Sequence, residues 1–297
     1  MSDPPCPQGL DSESLEWWDD VDFGQGMRQS FRVRRLHSEQ TEYQRIEVLE
    51  NPHLGRILAL DGIVQLTQRD EFVYHEMMAH VPLCGRKAAG SPASVLIIGG
   101  GDGGTLREVL RHPEVERVVM VEIDGAVVEV TARLLGVAGD YEDPRVDLRI
   151  ADGTAFVRSE EARAAPFDVV VIDSTDPVGP GAALFTDAFM ADLVACMTSD
   201  GVMVRQAGLP FLEPDAFART AAQARPAFAC DEVFHCNIPT YYGGNMAFVV
   251  GLCGGGTLAR PRLEWSGRHY NPAVHAAAFA LPTWLADLAR PGARDSR

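Results

Sequence analysis

No apolar run in these 297 residues approaches the ~18 needed to cross a bilayer as a helix, so no membrane span is expected. The opening stretch, MSDPPCPQGLDSESLEWW, has neither the basic start nor the apolar segment of a secretory signal. Residues 1–15 read as a flexible tail, and the chain is expected in the cytoplasm. Cysteine is sparse and scattered: Cys6, Cys84, Cys196, Cys230, Cys236 and Cys253 form no C-x-x-C pair and no His/Cys group at zinc spacing. Plain thiols in a reducing compartment are expected. Positive charge is also scarce, with 26 Lys and Arg against 42 Asp and Glu and a net charge of −16. A nucleic-acid binder needs the opposite balance. An acidic field attracts cationic small molecules instead. Internal repeats and low-complexity tracts are missing. What remains is the composition of an ordinary globular chain, 46% hydrophobic and 23% charged, long enough for a proper core.

Two patterns divide the chain. From about Gly24 to Thr67, short alternating stretches (SFRVRRLH, YQRIEVLEN, GRILALDG, IVQLTQ) separated by turns predict a small antiparallel sheet, placed in an N-terminal β-domain over 16–70. RDEFVYHEMMAHVPL then reads as a helix ended by Pro82. From Ser94, strands alternate with helices. The strands SVLIIGG, RVVMVEID, FDVVVIDSTDP and GVMVRQAG are nearly continuous in apolar residues, as in a parallel sheet covered on both faces. CDEVFHCNIPT and NMAFVVGLC end the pattern as two strands joined by a short connection. The fold class is therefore α/β: a Rossmann-like, methyltransferase-type sheet, parallel with a final antiparallel strand, over 71–297, preceded by the small antiparallel β-domain. Trp17 and Trp18 read as packing residues or a lid edge.

The chemistry gathers at strand ends. Gly99, Gly101 and Gly104 follow a strand and open a helix in a G-x-G-x-x-G pattern, which suits a nucleotide-like ligand or a tight turn. Thr105 and Glu108 have the spacing of a capping box. About 20 residues on, Glu122 is placed to accept from ribose hydroxyls, with Asp124 as a second candidate. Asp152, beside Gly153, suits an adenine amino group or a helix cap. Asp102 sits in the middle of the glycine loop. Two unit charges ~4 Å apart repel by ~4 kcal/mol at an effective dielectric of ~20, which argues against a pyrophosphate or a methionine carboxylate there. An adenosine with a cationic arm suits it, as in decarboxylated S-adenosylmethionine. Asp173 and Asp176 flank Ser174 and Thr175 past another strand end, in a loop stiffened by Pro177 and Pro180. Two carboxylates can bind Mg²⁺, but no further ligand set accompanies them and no metal is expected. Tyr74, His75, Tyr241 and Tyr242 supply faces and polar tips suited to an amine.

Together, DEFVYHEMMAHVPL, VLIIGGGDGGTLREVLRH, IDSTDPVGPG, IPTYYGG and RHYNPAVHAAAFALP make the chain resemble the bacterial polyamine aminopropyltransferases, from about Trp18 to Leu288. The resemblance implies transfer of an aminopropyl group from decarboxylated S-adenosylmethionine, a co-substrate, to putrescine, with no cofactor. It implies Asp173 as proton acceptor and Gln44, Glu122, Asp152, Gly153 and Pro180 around methylthioadenosine. Asp102 holds the aminopropyl ammonium. His75 and the run Asp173, Ser174, Thr175 and Asp176 bind polyamine, with Tyr74 and Tyr241 lining the groove and Gln206 at the cleft. It also implies a homodimer or homotetramer. Three alternatives stay open: another acceptor amine (cadaverine, agmatine or spermidine), a methyltransferase using intact S-adenosylmethionine, or a polyamine-binding protein without turnover.

Overall fold

The computed structural model describes residues 15–20, 27–175, 179–242 and 244–290, with only the backbone described at 179–180. The first sheet is an antiparallel meander of β1 (Glu16–Asp20), β2 (Gln29–Gln40), β3 (Arg45–Asn51), β4 (Gly55–Leu60) and β5 (Ile63–Thr67), in that spatial order. β1 is an addition to the sequence reading. Its Trp18 packs on Phe31 in the sheet's own core, while Trp17 is 70% exposed. The opposite side of the meander does not face water. Ile46, Val48, Leu58, Leu60 and Leu66 pack against Val127, Val130, Leu135 and Val137 of the next region, so one apolar layer joins the two sheets.

Helix α1 (Glu71–Gly85) connects them. It does not stop at Pro82, as the sequence suggested; it runs on through it to Gly85. Proline lacks the N–H that would bond back one turn, which costs a free-standing helix dearly. Here every α1 residue except Phe72 is buried, and tertiary packing overrides the local penalty.

The second sheet contains β6 (Ala93–Gly99), β7 (Val115–Glu122), β8 (Val146–Ile150), β9 (Phe167–Asp173), β10 (Met197–Gln206), β11 (Cys230–Asn237) and β12 (Asn245–Leu252), in the order β11-β12-β10-β9-β6-β7-β8. The pairs among β6 to β10 are parallel. β12 runs antiparallel to both of its neighbours, so the reversed strand is inserted between β10 and β11. Side chains alternate across the sheet as the pleat demands. Val95, Ile97, Val169 and Val171 face one core with α1, whereas Leu96, Ile98, Val170 and Ile172 face the other.

The helices are α2 (Gly104–Leu110), α3 (Gly125–Leu134), α4 (Gly153–Arg158), α5 (Glu160–Ala164), α6 (Asp187–Ala195), α7 (Pro214–Ala224), α8 (Pro272–Ala278) and α9 (Thr283–Ala289). TAFVRSEEAR, read as one helix, is two, because Ser159 leaves helical geometry and caps α5 by accepting from Ala162 N–H. The capping box at Thr105 and Glu108 does not form. Gly103, in the left-handed region, is the N-cap of α2, and both side chains are engaged elsewhere. Among the described residues five cysteines are free thiols, and no helix is long and apolar enough to cross a membrane.

Candidate active site

The sheet's connections diverge between β6 and β9. β7 and β8 lie to one side of this pair, β10, β12 and β11 to the other, and ligands of open α/β sheets sit in the crevice at such a point. The ends of these two strands touch: Gly100 N–H donates to the carbonyl of Asp173 at 2.7 Å. Gly99, at φ +82°, has no substitute there, since a Cβ would lie 2.1 Å from that carbonyl oxygen. The glycine loop is thereby drawn directly over Asp173.

A cavity of about 200 Å³ opens at this point. Its lining includes Glu122, Asp152, Gly153 and Gln44 together with Asp102, Asp173, His75, Tyr74, Tyr241 and Gln206. Glu122 closes β7 and accepts from the N–H groups of Gly101 (3.1 Å) and Asp124 (2.9 Å). Burial lifts its carboxyl to about 7 despite those donors. Asp124 is a different case. It caps α3 and accepts from Ala126 N–H, Thr41 Oγ1 and Gln44 Nε2, so it tethers the first sheet and sets the position of Gln44. Asp152 caps α4 on the exposed rim, accepting from Thr154 N–H at 2.7 Å. The cap reading is met, and the residue also lines the cavity.

Each Asp173 oxygen receives a hydroxyl: Tyr74 to Oδ1 at 2.7 Å and Thr105 to Oδ2 at 2.6 Å. Burial raises the Asp173 carboxyl, and the charge of Asp102 adds to it, outweighing those two donors and His75. Tyr74 is lifted well above the usual phenol value by burial and by Asp173, so it stays a donor. Asp102 behaves oppositely. Burial alone would raise it, but His75 and the Gly104 N–H at 2.7 Å hold it below the ordinary carboxylate value. His75, 2% exposed, has Nε2 at 3.2 Å from Asp102 and Nδ1 at 2.5 Å from Glu71. Burial pushes the imidazole down, but Asp102 and Glu71 prevail and bring it to about 10. The two facing carboxylates favour the charged ring.

Gln206 donates to the backbone oxygen of Ser174 at 3.1 Å and accepts from Gly208 N–H, which fixes the start of the loop carrying Ser174 and Thr175 along the cavity wall. Tyr241 donates to the Gln65 carbonyl, and Tyr242 lines the same wall. Gly181 and Leu184 reach the cavity from the 3₁₀ turn Gly179–Leu184. Pro180 belongs to that turn, but its side chain lies outside the described residues, as do Asp176 and Pro177.

Sequence reasoning missed three contributors. Leu58, Leu60, Ile63, Val64 and Leu66 bring an apolar wall from the first sheet. Thr105 was assigned to a cap and instead serves Asp173. Glu71 and Arg107 form a clamp behind His75, with Arg107 donating to both Glu71 oxygens at 3.1 and 2.9 Å. The i,i+4 spacing of Glu71 and His75 on a helix was the available signal.

Two groups are compact enough to hold a metal ion, His75/Asp102/Asp173 and Glu76/His80/Glu108. In the first, both imidazole nitrogens already face carboxylates. In the second, Glu76 accepts three backbone N–H groups, from Arg268, His269 and Tyr270, and Glu108 is held by Arg107 and Arg111. Arginine occupies the place of a cation there.

Comparison with known proteins agrees with this architecture. The spermine/spermidine synthase domain matches residues 71–253, and the spermidine synthase tetramerisation domain matches residues 17–68. A polyamine aminopropyltransferase of Serratia proteamaculans is 46% identical over 263 residues, covering 85% of this chain and 90% of the relative. Polyamine aminopropyltransferase 1 of Pseudomonas aeruginosa is 43% identical over 273 residues, covering 88% and 93%. A crystal structure of spermidine synthase in complex with the transition-state analogue AdoDATO superposes with a TM-score of 0.84 at 34% identity, covering 97% of both chains. Spermidine synthase from Thermotoga maritima gives a TM-score of 0.81 at 33% identity, covering 97% and 96%. The fold, the site and these relatives define a transferase of the aminopropyl-transferring class. The chain belongs to the spermine/spermidine synthase family.

Proposed function

We propose that the enzyme transfers the aminopropyl group of decarboxylated S-adenosylmethionine to putrescine, yielding spermidine and methylthioadenosine. The observation that carries this reading is the lining of one cavity, which combines a ribose-type acceptor, Glu122, with a compact acidic group that includes Asp102 and Asp173. Adenosine lies over the glycine loop toward Glu122 and Asp152. The aminopropyl ammonium lies toward Asp102, and the acceptor amine toward Asp173, Ser174, Thr175 and the tyrosines.

The reaction is an in-line displacement. A neutral amine nitrogen attacks the carbon next to the sulfonium, the carbon–sulfur bond breaks, and its electron pair remains on sulfur. The leaving group departs as a neutral thioether, so no oxyanion needs stabilising. The barrier lies in freeing the nucleophile. An alkylamine with a pKa near 10.4 costs ~4.6 kcal/mol to deprotonate at pH 7. Asp173 takes that proton. Its raised pKa makes it a better base than an exposed aspartate, and the Tyr74 and Thr105 hydroxyls fix its orientation. Holding donor and acceptor in line supplies the rest of the acceleration. No cofactor takes part, and the chain assembles as a homodimer or homotetramer through the first sheet, the region matched by the tetramerisation domain.

The test is mass spectrometry of products from the purified enzyme given decarboxylated S-adenosylmethionine and putrescine. Spermidine and methylthioadenosine are expected in equal amounts. Product only with cadaverine, agmatine or spermidine moves the acceptor and keeps the mechanism. Product with no amine overturns the proposal in favour of a polyamine-binding protein.

A further inference from the structure

His75 poses a problem for a site that takes cations. Its ring lies between two carboxylates, with one ligand-type atom each from His75, Asp102 and Asp173 within 4.8 Å of one another. The ring cannot turn aside. On α1, Glu71 holds Nδ1, and the Tyr74 ring packs edge-on at 5.3 Å. From α2, Arg107 clamps both Glu71 oxygens and donates onward to the Val137 carbonyl at 2.6 Å. Gly104, at the start of α2, lies so close that a Cβ would stand 2.3 Å from ring atoms Cε1 and Nδ1. The glycine loop brings Asp102 to Nε2, and β9 brings Asp173. Tyr141 completes the surroundings, donating to the Gly101 carbonyl beside Asp102. The charged groups around the ring are thus Glu71, Arg107, Asp102 and Asp173.

An ammonium arriving at Asp102 meets a fixed imidazolium already paired with the same carboxylate. Like charges at contact distance in a buried site repel strongly. The repulsion is relieved by loss of one proton. We propose that Nε2 of His75 is an exchange atom: protonated and donating to Asp102 in the free enzyme, deprotonated and accepting from the ligand's ammonium in the complex. Glu71 and Arg107 are positioning residues that keep the other proton on Nδ1 throughout. Each ammonium bound at Asp102 therefore sends one proton from His75 to solvent, and total charge balances. The inference rests on the proposed function to this extent, that an ammonium binds at Asp102. It makes His75 the resident counter-cation that the substrate displaces.

The test is titration calorimetry of the full chain with spermidine near pH ~7.5, in two buffers of different ionisation heat, where the slope reads the protons released. About one proton per spermidine is expected from the wild type and about none per bound spermidine from His75→Gln, whose weaker binding is followed at spermidine concentrations up to millimolar. Nitrogen-15 NMR of the His75 ring is expected to change from imidazolium to the Nδ1–H tautomer on binding. In Glu71→Gln, checked for an unaltered thermal transition, the Nε2–H tautomer is expected to appear in the complex, a change that a purely structural role for Glu71 would not produce. Spermidine binding without proton exchange overturns the proposal and leaves the proposed function intact. Equal proton release from His75→Gln also overturns it, by placing the source at Asp173 or the ligand. No binding up to millimolar spermidine overturns it as well, and the product assay then shows whether the proposed function falls too.

Discussion

Helix α1 contributes a histidine to each of two buried charge clusters built from histidine and carboxylates, and the two have opposite fates. At the front, Asp102, His75 and Asp173 face the cavity, with two carboxylates against one imidazolium. At the back, Glu76 and Glu108 stand beside His80, His112 and Trp265. There, Arg107 and Arg111 approach Glu108 at 2.8 and 2.5 Å, backbone N–H groups saturate Glu76, and His80 Nδ1 meets His112 Nε2 at 2.9 Å. Burial and His80 push His112 down to about 4, while burial alone would raise Glu108, which hydrogen bonding from His80 and the Arg107 charge hold far below the usual range. The back cluster is complete within itself and only stabilises. The front cluster lines the cavity and is open to a ligand. Excess acceptor capacity beside a cavity, rather than the number of charges, separates a site from a strut.

Substitutions that break this contrast should differ in what they change. The largest effect is expected from Asp173→Asn at the front: turnover falls by ~10³-fold with methylthioadenosine affinity nearly unaltered, measured by product assay and calorimetry. Glu108→Gln at the back should do the reverse. Breaking a buried, arginine-paired carboxylate costs ~3 kcal/mol in chemical denaturation, with turnover well below the melting temperature changed by less than ~10-fold. A third buried charge sharpens the comparison. Arg205 on β10 is fully buried, its guanidinium nitrogens have no hydrogen-bond partner among the described residues, and it stacks over Phe185 at 3.9 Å. Burial lowers it to about 9. A charge with neither a partner nor a ligand to meet is a liability, so Arg205→Met should raise stability by ~1–2 kcal/mol. The smallest effect concerns pH. Because His75 is raised from 6.5 to about 10, its stabilising contribution is complete below pH 6.5 and disappears as pH rises toward about 10. The stability gap between wild type and His75→Gln should close over that window in denaturant titrations.

What could be read from the chain follows from which forces are local. The strands of the second sheet were legible because both of their faces are covered, which leaves near-continuous apolar runs such as VLII and VVVI. The glycine loop and the acids at the ends of β6, β7 and β9 were legible because strand ends fix them in one crevice. Pro82 and the Thr105/Glu108 pattern misled because packing around α1 and the demand of Asp173 for a donor override local rules. The clamp on His75 was half legible: Glu71 lies one turn away on the same helix, whereas Arg107 arrives from α2 and the Val137 carbonyl from beyond α3. Such convergence has no signature in spacing. The pairing of Asp102 with His75 likewise joins a loop to a helix and has no sequence signature.

The most direct test of the account is the affinity of intact against decarboxylated S-adenosylmethionine, measured on the wild type and on Asp102→Asn. The acidic group lining the cavity predicts that the wild type prefers the decarboxylated form by ~10²-fold, equivalent to about 2.7 kcal/mol, and that Asp102→Asn loses most of that preference. Equal affinity for both forms in the wild type, or a preference unchanged in Asp102→Asn, would contradict it.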